Sequence, residues 1–156
     1  MDLLWQELTT GFPDRTRLGI TLIRVIAAVL LGGILGTERE KAGKPAGLRT
    51  HMIVCLGTAV VVLACTEVNM GLDGLSRVIQ GIVTGIGFIG AGTILKLNEQ
   101  REIQGLTTAA GLWMTAAIGV AVGLGALGLA VIGTVVTLLV LVLEQVVNSR
   151  LTRNQK

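Results

Sequence analysis

From Leu106 to Leu143 the chain runs for 38 residues without a charged side chain. As a single helix that run would extend about 57 Å, nearly twice the hydrocarbon thickness of a bilayer. Two membrane-crossing helices fit it better, broken around Gly123, Gly125 and Gly128 and joined by a turn that must be tight. The same reading applied upstream predicts five spans, at about 18–36, 50–66, 78–95, 106–124 and 127–143. Only 15% of the residues are charged, where soluble domains carry ~25%, and the mean hydropathy is +0.75. The fold class is therefore all-α, a polytopic integral membrane helical bundle of about five transmembrane helices.

The third span is unusual. Between Val78 and Leu95 it carries Gly81, Gly85, Gly87, Gly90 and Gly92. Glycine weakens a helix in water but lets helices approach closely in lipid. At 100° per residue, Gly81, Gly85 and Gly92 share one narrow face, and Gln80, Thr84, Gly87 and Ala91 share a second. Ile79, Ile82, Ile86 and Ile89 form a third. The expectation is a central helix whose first two faces pack against protein while the isoleucines face lipid. Gly85, Gly87 and Gly90 also spell GxGxxG, but a dinucleotide site needs a strand before that pattern and a helix opening after it. Here it sits inside a charge-free run, and helix packing is the better reading. Gly32 with Gly36, and Gly119 with Gly123, give two further GxxxG faces.

The chain ends are polar and short. Residues 1–17 form an N-terminal segment in which Leu4, Leu8 and Phe12 recur every four residues beside Trp5, the pattern of a brief interfacial helix that Pro13 would end. Arg15 and Arg17 before an apolar run also suit a signal peptide. No small-residue cleavage site follows, and a retained membrane helix is favoured. Residues 144–156 read as a polar tail.

Arg39, Lys41, Lys44, Arg49, Lys96, Arg101, Arg150, Arg153 and Lys156 fall on one side of a five-span arrangement, against Arg15, Arg17 and Arg77 on the other. The positive-inside rule then places the N-terminus outside and the tail in the cytoplasm. Apart from Arg24, the charges sit in the gaps between spans as topology signals, which argues against a nucleic-acid partner. With no tyrosine, two Trp and two Phe, aromatic belts are sparse.

Several residues invite a chemical reading. Cys55 and Cys65 lie about 15 Å apart along one expected helix, beyond disulfide reach, and read as small apolar packers. His51, the only histidine, is a pH-sensitive group or metal ligand on one view and a hydrogen-bonding residue at the membrane boundary on the other. Arg24, inside the first span, is either functional or a structural, snorkelling residue. Thr50 is a possible N-cap for the second span. Hydrolase and zinc-protease motifs are missing, as are intramembrane carboxylates. No catalytic residue, metal site or cofactor is expected.

Three segments together resemble the MgtC/SapB family of bacterial membrane proteins: Glu38 to His51 (EREKAGKPAGLRTH), Arg77 to Gly92 (RVIQGIVTGIGFIGAG) and Gly105 to Gly119 (GLTTAAGLWMTAAIG). Their order and spacing match the family's membrane domain over nearly the whole chain. The resemblance implies a bacterial inner-membrane protein of about five spans without catalytic activity. It also implies links to growth at low magnesium and survival inside host cells, and action by binding and restraining other membrane proteins, the proton-driven ATP synthase among them. Better-known members continue into a soluble C-terminal domain; this chain is expected to be a short form without it.

Carried onto this sequence, the family's pattern singles out Glu38, Arg39, Arg49, Thr50, Arg77, Gln80, Gly81, Gly85, Gly87, Gly92, Thr107, Thr108 and Trp113 as partner or helix contacts. Thr84 joins them as a polar group able to hydrogen-bond between helices. The expected partners are the lipid bilayer and either a second copy or other membrane proteins. Two functions compete: a non-enzymatic regulator that docks on membrane proteins, and a small homo-oligomeric cation channel or transporter with Gln80 and Thr84 facing a pore.

Overall fold

A computed structural model describes residues 15–97 and 102–153. Five helices follow one another: α1 (Arg15–Lys41), α2 (Leu48–Glu67), α3 (Leu72–Gly92), α4 (Leu106–Gly123) and α5 (Leu127–Arg153). All five contain a stretch long and apolar enough to cross a membrane. The first fourteen residues, and with them the suggested interfacial helix, lie outside the described residues.

The helices run past the expected spans. α1 continues through Glu38–Lys41, α3 takes in Asp73 and Arg77, and α5 passes Leu143 to reach Arg153. The physical reason is that loss of charge marks where lipid begins, not where a helix ends. Glu, Lys and Arg are good helix formers once the backbone is nucleated. Between α3 and α4, part of an expected loop forms a short antiparallel hairpin instead, with β1 (Leu95–Leu97) against β2 (Glu102–Gln104). Leu95 pairs with Gln104, so the end of α3 is tied to the start of α4.

The α4–α5 connection is as tight as the uncharged run required. Gly125 adopts φ +83°, its N–H bonds Val122 O at 2.9 Å, and the Ala126 N–H bonds Ala121 O at 2.9 Å. That pair of bonds closes a helix C-terminus around a left-handed residue. Arg24 completes the cap, donating from Nη1 to Gly123 O at 3.0 Å. Its cation meets the negative end of the α4 dipole. Arg24 thus has a structural role, not by snorkelling but by reaching a neighbouring helix end.

The centre of the bundle is α4 rather than α3. In their most apolar windows 56% of α4 residues are buried, against 11% for α3. α2 is gripped from two sides by the GxxxG faces. A Cβ on Gly32 of α1 would lie 2.6 Å from His51 O, and one on Gly36 would lie 2.6 Å from Leu48 Cα. From α4, a Cβ on Gly119 would collide with Thr58 and Cys55, and one on Gly123 would lie 2.7 Å from Val62 Cβ. Close helix approach without side chains in the way is the packing that small residues permit in lipid. Ala28, Leu35, Cys55, Ala59, Ile118, Val122 and Ala130 fill the core between these contacts. Cys55 and Cys65 are free and buried, as expected of packers.

The isoleucine face of α3 is turned the opposite way from expectation. Ile86 is buried and Ile79 and Ile82 are half-buried, with Ile89 alone of the four exposed, while Gln80, Gly81, Thr84, Gly85, Gly87 and Gly92 are exposed. Apart from the adjoining residues and backbone of α3 itself, no atom lies within 4 Å of a Cβ built on Gly81, Gly85, Gly87 or Gly92. Among the α3 glycines singled out, Gly90 does pack, with Ala109 Cβ 3.5 Å away. The helical period separates faces but does not rank them. Both stripes repeat at the same interval, and lipid is as apolar as isoleucine, so the sequence pattern alone leaves the inward face open.

Candidate functional site

Where α1 leaves the bundle, its last turns place Glu38 and Arg39 beside the far end of α5. Arg39 is fully buried, which a guanidinium tolerates only with carboxylates around it. Its Nη2 donates to Glu38 Oε1 at 2.7 Å and its Nε donates to Glu38 Oε2. Its Nη1 stands 3.7 Å from Glu144 Oε2. Glu144 is held in turn by Thr107 of α4, whose hydroxyl donates to Oε1 at 3.3 Å. Gln145 Nε2 donates to Glu38 Oε1 from the next position on α5. Two carboxylates, Glu38 of α1 and Glu144 of α5, therefore meet one buried cation, and Gln145 of α5 and Thr107 of α4 each brace one of them.

The loop below this cluster is equally ordered. Gly43, at φ +66°, ends α1, and the Lys44 N–H bonds Arg39 O at 3.0 Å. Glu40 reaches over the loop and accepts from the Leu48 N–H at 2.8 Å, satisfying the start of α2. Between this loop and the first turn of α4 lies a cavity of about 500 Å³, with Lys44, Thr93, Gln104, Thr107, Thr108 and Glu144 on its walls. One turn deeper, His51 is fully buried and its Nδ1 lies 2.7 Å from Thr115 Oγ1. Thr115 spends its hydroxyl hydrogen on Gly111 O at 2.9 Å, so the ring nitrogen is the donor in the contact. This resolves His51 as a hydrogen-bonding residue, and it lies inside the bundle rather than at its boundary. Groups of three or more His, Cys, Asp or Glu side chains able to hold a metal are absent among the described residues.

The expected contact residues divide into two places and a remainder. Glu38, Arg39, Thr107 and Thr108 meet at the cluster and cavity. Arg77, Gln80, Gly81, Thr84, Gly85, Gly87 and Gly92 all lie on the open side of α3, where Thr84 bonds only its own helix, at Gln80 O, 2.9 Å away. Arg49 is exposed and Thr50 half-buried within the first turn of α2, where Gly47 rather than Thr50 is the N-cap. Trp113 is 46% exposed on α4. Sequence reasoning missed Glu144 and Gln145, which it placed in the tail. Their signal was available: Glu144 is the first charge after the uncharged run that ends at Leu143, on a helix with no reason to stop there.

Comparison with known proteins agrees with this architecture. A family model described as MgtC family matches residues 25–150. Protein SrpB of Synechococcus elongatus is 39% identical over 140 residues, covering 83% of this chain and 76% of that protein. The putative magnesium transporter YhiD of Escherichia coli is 46% identical over 128 residues, covering 77% of this chain and 58% of that one. Protein MgtC of Salmonella typhimurium is 41% identical over 117 residues, covering 75% and 49%. The chain thus spans about half to three-quarters of the length of these relatives. No solved structure matches it.

Proposed function

The chain belongs to the MgtC family, and from that premise we propose that it is a non-enzymatic regulator of the bacterial inner membrane that works by docking on other membrane proteins. The observation that carries this reading is the open side of α3. A membrane helix that faced only lipid would present its isoleucines outward; this one turns Ile86 inward and presents Gln80, Thr84 and bare glycines. An unpaired amide in hydrocarbon costs about 2–7 kcal/mol, and another helix can remove that cost. The charged ends of α1 and α5 and the hairpin lie on the cytoplasmic side in this reading, following the positive-inside bias. The name of one relative, a putative magnesium transporter, supports a link between this regulation and ion homeostasis.

The same open face favours one competing reading, a homo-oligomeric cation path lined by Gln80 and Thr84. Against conduction within one copy, Leu35, Cys55, Ala59, Ile118 and Val122 form a buried apolar layer.

Pure protein in liposomes loaded with a divalent-ion reporter separates the two, beside cross-linking in native membranes. A cross-linked membrane partner without ion flux is expected. Flux that Gln80→Leu abolishes would replace the regulator with the channel.

A further inference from the structure

The open side of α3 is self-complementary, and we infer that its first occupant is a second copy of this chain, packed parallel about a two-fold axis. The inference rests on the reading of α3 as a docking face and names what docks there.

At 3.6 residues per turn, Asp73, Arg77, Gln80, Gly81, Thr84, Gly85, Phe88 and Ala91 lie within an arc of about 140°. All eight are exposed. Three of them ask for a partner. Gln80 stands about 12 Å along the helix from Leu72, and its amide has no hydrogen-bond partner among the described residues. Asp73 and Arg77 likewise make no ion pair among them.

The chemistry of these groups selects the occupant. A two-fold axis brings each residue to the depth of its own counterpart. A lone charge on the face would then meet its like, but this face carries one acid and one base a single turn apart. Asp73 of each copy is thereby offered Arg77 of the other, and the two ion pairs are equivalent. Glutamine carries both donors and an acceptor on one amide, so Gln80 pairs with Gln80 of the second copy without any other residue type. Gly81 and Gly85, with open space over both, remove the Cβ atoms that would hold the backbones apart. Thr84 has already used its hydroxyl hydrogen internally and adds no unmet donor. Phe88, 86% exposed, supplies apolar contact farther along the same line.

Single cysteines test the geometry in native membranes, since Cys55 and Cys65 are buried. Thr84→Cys and Phe88→Cys are expected to give an oxidised adduct of twice the chain mass. Val83→Cys, exposed but about 130° round the helix from the centre of the face, is expected to give none. An adduct with a different protein would keep α3 as a docking face and overturn the second copy as its occupant. No adduct of either kind would overturn both.

Energetics are read from the pure protein in liposomes by single-molecule photobleaching. Gln80→Leu should raise the dissociation constant about threefold to twentyfold for each hydrogen bond lost. Arg77→Asp should weaken the pair, and the double variant Asp73→Arg with Arg77→Asp should restore it. Unchanged association in Gln80→Leu, or failure of the double variant to restore, overturns the arrangement.

Discussion

Arg39 Nη1 and Glu144 Oε2 face each other at 3.7 Å, one side chain from the end of the first helix and the other from the last. Neither atom has a closer hydrogen-bond partner among the described residues. The contact closes the bundle between its first and last spans at the end where the charged residues gather.

Removing the cation should be worse than removing either acid. Arg39→Leu leaves Glu38 without its bidentate partner and Glu144 without its counter-charge. Breaking a buried pair from one side typically costs about 3–5 kcal/mol. The expected outcome is loss of most folded protein in detergent, followed by thermal denaturation. Glu144→Gln keeps an acceptor for Thr107 and should cost much less, because Glu144 is partly exposed at 28%. Equal losses in the two variants would show that Arg39 does not organise the cluster.

His51 and Thr115 give a cleaner pair. Thr115→Val removes the acceptor of His51 Nδ1 at constant shape and strands a buried donor, costing about 1–3 kcal/mol. His51→Leu in that background removes the stranded group. The double variant should therefore recover part of the loss, which a thermodynamic cycle from chemical denaturation in detergent reads directly.

Glycines on the two kinds of face should behave oppositely. Gly119→Val and Gly32→Val push a side chain into α2 at distances no neighbour can accept, and folded yield should collapse. Gly81→Ala points into open space and gains helix propensity of up to about 1 kcal/mol. The melting temperature of the detergent monomer should hold or rise. A collapse with Gly81→Ala would mean that α3 is packed within one copy.

Arg24→Leu uncaps α4 without disturbing the core. The substitution removes one charge-assisted hydrogen bond and a cation from the negative end of the helix dipole, at an expected cost of about 1–2 kcal/mol. Hydrogen exchange should rise at the last turn of α4 and the Gly125 turn, with little change at Cys55 or Ile118. Faster exchange throughout the bundle would assign Arg24 a wider role.

Five spans were legible because charge is costly in lipid and the gaps between charges match the bilayer. The GxxxG faces of α1 and α4 were legible for a related reason: nothing else explains paired glycines in an apolar helix. What resisted was orientation and long range. Ile86 and Gly81 recur on stripes with the same period, and only the partner helix decides which is inside. Glu144 could not be matched to Arg39 from sequence, since no local rule joins the first helix to the fifth. Resemblance pointed to Glu38, Arg39 and Thr107 without saying that Glu144 ties them together.

The short hairpin gives these separate places a mechanical connection. Only Thr93 and Ile94 separate α3 from β1, and only Gly105 separates β2 from α4, with Leu95 paired across to Gln104. Gly105 sits at φ +96° with Thr93 O where a side chain would begin, leaving that junction almost no slack. Any tilt of α3 imposed from the lipid side must therefore be delivered within a few residues to Thr107, and through it to the grip on Glu144. The open-sided helix and the charged cavity are thus joined by a short, close-packed stretch of backbone, and Thr93, Gln104, Gly105 and Thr107 of that stretch line the cavity itself.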